Sequence, residues 1–367
     1  MGKNSWLLAL PLAFAAASAN ADSSLADMFT YSGFGTAGVL HTDTSDAEYV
    51  QTGQTSGGTG GLDFKTDSKL GLQGTVTPTQ WLSGTVQVLS EERFNDSLGP
   101  KFEWAFVKLK PLDGLSIRAG EMALPSFLVS DSRNVGYANT WLRAPDEVYG
   151  QSTFDTYTGA NISYQHAIGS YTVTVDALAG HTKSDFLLGP DYIAVINGHN
   201  LLGYSASVDA GAVTGRFSYL KTNIDAVIDG FIAAKLVYTF TSVGATYDRD
   251  NVIVQSEFIT KHTQLTSYNV NGWYVLGGYR LGKWLPYGIY AAGQTPSGPD
   301  SSSPAWLPGL SKHTISAGVR ADLIKSVDFK LQIDHETTYP SGSPFINVQP
   351  GFNDSAFVYS FAVDFVF

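Results

Sequence analysis

An all-β chain, closed into a transmembrane antiparallel barrel of sixteen strands, is what this sequence predicts. Three observations lead there. In the last stretch, Ser355 to Phe367, the residues Phe357, Tyr359, Phe361, Val363, Phe365 and Phe367 alternate with Ala356, Val358, Ser360, Ala362, Asp364 and Val366. Successive strand side chains point to opposite faces, so one face is aromatic and the other small or polar. The chain ends on that strand, on a Phe, with no polar tail, where a soluble chain would usually solvate its terminus. Charged residues are only 15% of the sequence, while aromatics reach 13% and glycines number 38. A wall greasy outside and wet inside averages out this way, whereas soluble domains carry about 25% charge.

The elements follow in order. Met1 to Ala21 carries one basic residue, Lys3, an apolar run from Trp6 to Ala17, and the small-x-small site Ala19-Asn20-Ala21. This predicts a cleaved secretory signal peptide over 1–21 and a single barrel domain over 22–367. The apolar run is too short to span a bilayer, and no later run reaches the ~20 residues of a transmembrane helix. There is no cysteine, so an exported chain must be held by hydrogen bonding and barrel closure. The net charge of −11, or −12 without Lys3, argues against a nucleic-acid partner.

Strands are expected at about 30–41, 62–77, 80–92, 101–111 and 114–122, then 156–168, 170–182, 199–210, 213–223, 234–248, 252–263, 271–282, 285–295, 311–324 and 327–338, with the C-terminal strand sixteenth. Tight turns at Pro78-Thr79-Gln80, Pro111 to Gly114, Gly169, Gly211, Asp248 to Asn251, Gly282-Lys283 and Lys325-Ser326 alternate with longer polar loops. Long loops are also expected near 183–198, 296–310 and 339–354. An even strand number with short turns at one end and long loops at the other is the arrangement of bacterial outer-membrane barrels, which fourteen or eighteen strands would satisfy as well. Sixteen strands are too many for one sandwich, and a barrel that wide keeps a water-filled lumen.

Parity sorts the side chains. Val173, Ile315, Val319 and Phe361 are expected to face lipid. Lys69, Arg118, Arg216, Arg280, Arg320 and Lys330 turn inward, with Asp176, Asp209, Glu257, Asp322, Asp328, Asp334 and Asp364. Opposed inward charges of this kind set ion preference in a pore. Trp81, Tyr171, Trp284 and Tyr287 are expected to form an aromatic girdle at the turn end, and Trp273 sits toward the other. The fourth strand has no assigned facing, because Phe102, Trp104 and Phe106 share parity with Lys108 and Lys110.

The longest connection, Ala123 to Asp155, follows strand 5. Its segment Met122 to Gly150 holds Phe127, Leu128, Val129, Val135, Trp141, Leu142 and Val148, too apolar for an exposed loop, together with Asp131, Arg133, Arg143, Asp146 and Glu147. A loop this long inside a compact domain is usually functional. The inner barrel wall can cover its apolar side chains, which makes it a candidate constriction loop, with Arg118 in mid-strand 5 opposing its carboxylates; a loop lid or a trimer contact is the alternative.

The runs LSIRAGEMALPSFLVSDSRNVGYANTW and LRAPDEVYG, about 40 residues, resemble the Gram-negative porins related to the general diffusion and phosphate-selective types. GWYVLGGYRLGKWLPYGIYA, Gly272 to Ala291, carries a second, weaker resemblance. Arg143-Ala144-Pro145 departs from the Arg-Pro-Pro expected there, which bears on local loop shape. The resemblance implies an outer-membrane location in a Gram-negative bacterium and passive diffusion of ions and small polar solutes through a homotrimer. It also implies contact with outer-membrane lipid and lipopolysaccharide, and insertion by the barrel-assembly machinery. The terminal Phe365 and Phe367 resemble the assembly signal of such barrels. The basic residues are spread over many strands and balanced by acids, so phosphate selectivity is not expected. The overall negative charge tilts the expected ion preference slightly toward cations.

An outer-membrane hydrolase and a plugged structural or adhesive barrel are the alternatives. None of the seven His stands in a metal-ligand spacing, and no G-x-S-x-G nucleophile elbow occurs. Asp334-His335-Glu336 lies near a rim, but adjacent strand residues face opposite ways. Gly57 to Gly61 precedes no helix and so makes no phosphate cradle. The first strand begins soon after the cleavage site, which leaves no room for an N-terminal plug. No enzymatic activity, metal or cofactor is expected.

Overall fold

The computed structural model describes residues 27–93, 98–189, 192–228, 231–296, 311–338 and 344–367. The signal peptide expected over 1–21 and most of the loop expected at 296–310 lie outside them. The barrel begins with β1 (Phe29–Thr42), and the two-residue β2 (Glu48–Tyr49) stands apart from it. Then come β3 (Lys69–Thr79), β4 (Leu82–Glu91), β5 (Lys101–Leu112), β6 (Leu115–Ala123), β7 (Thr156–Ile168), β8 (Tyr171–Gly189) and β9 (Tyr192–Asp209). The circuit continues with β10 (Val213–Ile228), β11 (Phe231–Arg249), β12 (Val252–His262), β13 (Val270–Tyr279), β14 (Trp284–Gln294), β15 (Ser311–Ile324) and β16 (Val327–Thr338). The short β17 (Phe345–Ile346) pairs only with β2, and β18 (Ser355–Val366) pairs with both β16 and β1. Sixteen strands thus close a barrel in which every ladder is antiparallel.

Closure is made by the two terminal strands. Phe367 and Gly33 exchange both backbone hydrogen bonds, at 2.9 and 3.0 Å. Gly33 and Gly35 lack side chains where the rings of Phe367 and Phe365 lie, and a Cβ at either would overlap the ring. The aromatic face of β18 points outward and its small face inward, as the alternation predicts: Phe357, Tyr359 and Phe361 are exposed, and Val358, Ser360, Ala362 and Asp364 buried.

The turn-end connections are short. Between β11 and β12, Asp250 and Asn251 both take positive φ, the signature of the tight turn whose twist matches paired strands. At the other end two expectations fail. Of residues 183–198, expected as a loop, 183–189 belong to β8 and 192–198 to β9, where Lys183 pairs with Asn197 and Asp185 with Val195. β8 to β11 run 16 to 19 residues, against the ~9–11 that cross a bilayer. Beyond the lipid band the outward face meets water, so a strand there carries Lys183 and Asp185 and reads as loop. Conversely, β3 starts at Lys69 rather than near 62. The Asp63 carboxylate accepts from the backbone N–H of Lys65 and Thr66 and folds that stretch into a turn.

Tyr287 is a further correction. It is buried inside the barrel, where its hydroxyl donates to Gln332 at 2.8 Å, because β14 alternates Trp284 and Pro286 outward with Leu285 and Tyr287 inward. Trp81, Tyr171, Trp284 and Trp273 are outward and exposed. The unassigned strand is β5. Its register slips at Glu103, so that Val88 faces Phe102 but Gln87 faces Trp104. That bulge turns Phe102 outward and leaves Trp104, Phe106 and Lys108 on the inner face.

Candidate functional site: the lumen and the connection 124–155

β6, the fifth strand of the barrel, ends at Ala123, and β7 begins at Thr156. The 32 residues between contain a 3₁₀ turn at Gly136–Ala138 and one helical turn, α1 (Asp146–Tyr149). Their apolar side chains pack on inward aromatics of the wall. Phe127 lies edge-on to Phe240 of β11 at 5.4 Å, Trp141 edge-on to Tyr274 of β13 at 5.6 Å, and Tyr149 4.7 Å from Phe127. This explains a loop richer in aromatics than water would tolerate.

Polar contacts fix the same segment at three places. Glu257 of β12 is 1% exposed. Its carboxylate accepts from the Leu128 N–H at 2.9 Å, the Tyr149 hydroxyl at 2.8 Å and the Ser242 hydroxyl at 2.5 Å. Around Gly136, Lys330 donates to the Gly136 carbonyl at 2.7 Å and pairs with Asp364 at 2.9 Å. Arg320 donates to the carbonyls of Tyr137 and Asn139, both at 2.9 Å, and pairs with Asp328 at 3.2 Å.

The third place centres on Arg143. Its guanidinium grips Asp67 with two hydrogen bonds of 3.0 and 2.6 Å, Asp334 with one of 2.8 Å and the Ser360 hydroxyl with another of 2.8 Å, and lies over the Tyr49 ring. Next to it, Lys312 donates to Asp146 at 2.9 Å and approaches Glu336 at 3.5 Å. Thr314 Oγ1 lies within hydrogen-bond reach of both Glu147 and Glu336. A hydroxyl has one proton to give, so one of these contacts needs a protonated carboxyl. Glu147 is the candidate. Burial pushes it up to about 7, with Glu336 and Asp146 adding to the rise against the opposing pull of Lys312 and Thr314. Its second oxygen has no partner.

The expected site residues therefore separate. Arg143, Asp146 and Glu147 are enclosed between loop and wall. Asp131 has a side chain 71% exposed, 3.6 Å from Arg216 of β10, and Arg133 pairs with Asp155 at 2.8 Å. Arg118 is on the wall of β6, donating to Asn161 at 3.1 Å, beside Phe106. Its cross-strand partner is Lys108. Lys69 is half-buried near the loop end of β3, and Arg280 pairs with Asp248 at the turn end.

A family model for Gram-negative porins matches residues 8–337. The chain belongs to the Gram-negative porin family. No curated protein matches it. Among solved structures, this porin resembles OmpF of Salmonella typhi in complex with daunomycin (TM-score 0.60, 13% identity, 92% of this chain and 97% of that chain covered). It also resembles the anion-selective porin of Comamonas acidovorans (0.58, 12%, 92% and 100%) and the trimer form of OmpT from Vibrio cholerae (0.56, 11%, 92% and 99%). At these identities the likeness is one of fold. The porin is an outer-membrane protein.

Sequence reading missed Asp67, Tyr49, Lys312 and Tyr149 as parts of this site. Lys312 was accessible to it, since it shares parity with the inward Ser316 and Arg320. Asp67 was not, because its role depends on the fold of residues 63–68.

Proposed function

We propose that this chain forms a water-filled channel for passive diffusion of ions and small polar solutes, with no enzymatic activity. Residues 124–155 narrow its lumen. The carrying observation is the set of buried contacts from Glu257, Asp334, Arg320 and Lys330 to that segment, which hold it against the inner wall of β11 to β18. The passage then lies beside the exposed Asp131, which pairs with Arg216 at 3.6 Å, and is faced by Lys108 and Arg118 of β5 and β6. Three bases and one acid stand there, in a chain of net charge −11; the two tendencies oppose each other, so the ion preference is weak. Conductance of the purified protein in planar bilayers tests this. Stepwise openings with a small reversal potential in a salt gradient are expected, and a protein that folds as a barrel but never conducts would remove the reading.

Export with cleavage after Ala21 and assembly as a homotrimer belong to the same proposal. A trimer form exists for the Vibrio cholerae OmpT that this chain resembles in fold. Within this chain, alternation turns Ala119, Glu121 and Ala123 of β6 and Thr158 and Ala160 of β7 outward, in register with one another. A carboxylate facing lipid costs free energy, so this flat face suits a neighbouring subunit. Sedimentation of the detergent-solubilised protein at one protomer's mass would exclude the trimer.

A further inference from the structure

We infer that the outward face of the barrel carries, at its loop end, a belt of histidines that docks the anionic headgroups of outer-leaflet lipids and holds them more tightly as pH falls. The inference goes beyond the channel. It rests on the outer-membrane location and holds whether or not the lumen conducts.

Six of the seven histidines form the belt: His41, His181, His199, His262, His313 and His335. They come from β1, β8, β9, β12, β15 and β16. Four are exposed, while His41 and His335 are half-exposed and lie against the outward rings of Tyr359 and Phe357, at 6.1 and 4.6 Å. The ladders place them at one height. Barrel strands tilt by about 35–45°, so residues at equal height are offset by about one residue per strand. His41 faces Tyr359; two residues toward the loops, Phe357 faces His335; two further along β16, Thr337 faces His313. That is an offset of four residues over three strands. From His313 the row runs through Ala292 and Trp273 to Phe258, and His262 lies four residues beyond, again over three strands. From His262 it runs through Thr239 and Lys221 to Leu202, with His199 three residues beyond. His181 sits beside His199 on β8, where Gly180 faces Leu201 and Thr182 faces Gly198.

Position and charge name the partner. On the turn side of the belt stand the outward ring pairs Trp273–Tyr290 and Tyr204–Tyr219, at 5.5 and 5.1 Å. Such rings mark the level of the lipid headgroups, and the longer loops of these barrels lie on the outer side. Lys183, Lys221 and Lys235 are exposed on the same face, against Asp185 and Asp225. Few charges face the imidazoles. Asp225 is 3.4 Å from His199, and Lys183 follows His181 on the same face of β8. Asp43 follows His41, but its carboxylate accepts from the Phe357 N–H at 2.9 Å. His262 faces Thr239, His313 faces Ala292 and Thr337, and His335 faces Ile315 and Phe357. An imidazole gains its charge between pH 8 and pH 5, so the face passes from near neutral to strongly basic over that range. Cations at this depth attract anionic headgroups, and a protonated imidazole donates from both ring nitrogens to phosphate oxygens.

The test uses the protein reconstituted in phosphatidylcholine vesicles with a trace of spin-labelled phosphatidylglycerol or spin-labelled phosphatidylcholine. The fraction of each label immobilised at the protein surface is read at pH 7.5 and pH 5.5, and the phosphatidylglycerol headgroup stays ionised at both. The preference for phosphatidylglycerol should rise about twofold on acidification. With all six histidines replaced by Gln it should stay flat. His166→Gln, at the turn end, should keep the rise. Heat-modifiable migration reports folding. If the sixfold variant does not fold, the triple variants H41Q/H313Q/H335Q and H181Q/H199Q/H262Q take its place, and each should lose about half of the rise. Inorganic phosphate in place of chloride, at equal ionic strength, should leave the preference unchanged; its collapse would assign the belt to free phosphate and overturn headgroup docking. A preference that ignores pH, or a rise that the belt variants keep in full, overturns the inference.

Discussion

At the residue scale the molecule turns on side chains that the lumen does not see. Glu147 is the most informative. Its carboxyl is held up to about 7, chiefly by burial. For an acid whose folded pKa lies above its unfolded value, the stabilising contribution is present in full below the unfolded value near 4.5. It is lost as pH rises through the folded value. Glu147→Gln keeps the neutral form at every pH. The variant should therefore gain stability relative to the wild type between pH 5 and pH 8, read as the thermal midpoint of loop release by limited proteolysis. A gap between the two that stays constant over that range would show that Glu147 titrates normally. Arg143 gives the complementary case. Truncation to Ala leaves Asp67 and Asp334 buried without their cation, and breaking a buried pair from one side costs about 3–5 kcal/mol. Cleavage within residues 124–155 by added protease should rise sharply in Arg143→Ala, and a loop as resistant as the wild type's would show that these pairs do not hold it.

At the scale of elements, the strands were legible because lipid outside and water inside impose a period of two. β15, β16 and β18 follow that period as read, with Ile315, Leu331 and Phe361 outward and Ser316, Lys330 and Ser360 inward. The reading failed where lipid no longer dictates the outer face, in the projecting ends of β8 to β11. It made no assignment where a bulge reverses parity, at Glu103. The loop was visible as an anomaly of composition, yet which of its charges would be enclosed was not. That depends on partners up to 217 residues away, such as Ser360 for Arg143. Barrel closure yields a prediction at this scale. Phe367 contributes two backbone hydrogen bonds and a ring over Gly33 to the seam between β18 and β1. A chain lacking Phe367 should accumulate as unfolded, degraded material in the periplasm. Wild-type amounts of heat-modifiable barrel from that chain would show that the seam forms without it.

At the scale of the whole molecule, the loop divides the barrel into two unlike halves. The wall of β11 to β18 is covered, its acids and bases spent on holding residues 124–155. The wall of β5 to β10 retains Lys108, Arg118 and Arg216, with Asp131 as the loop's exposed reply. On the proposed reading of the lumen as a narrowed passage, charges in a partly desolvated space interact more strongly than in bulk water, so the few groups on the open side would outweigh the enclosed ones in setting ion preference. Asp146 and Glu147, expected from the sequence near the passage, are enclosed beside Lys312 and Thr314 and would act on loop stability instead. Two variants separate these roles. Deleting residues 128–146 removes the Arg143 contacts and the 3₁₀ turn together, and the single-channel conductance should rise. Replacing Arg118 and Arg216 by Gln should leave conductance near the wild-type value but move the reversal potential in a salt gradient toward cations. If the deletion leaves conductance unchanged, the segment does not narrow the passage. If the double substitution leaves the reversal potential in place while the deletion widens the pore, the narrowing is real but the ions are sorted by groups other than these two arginines.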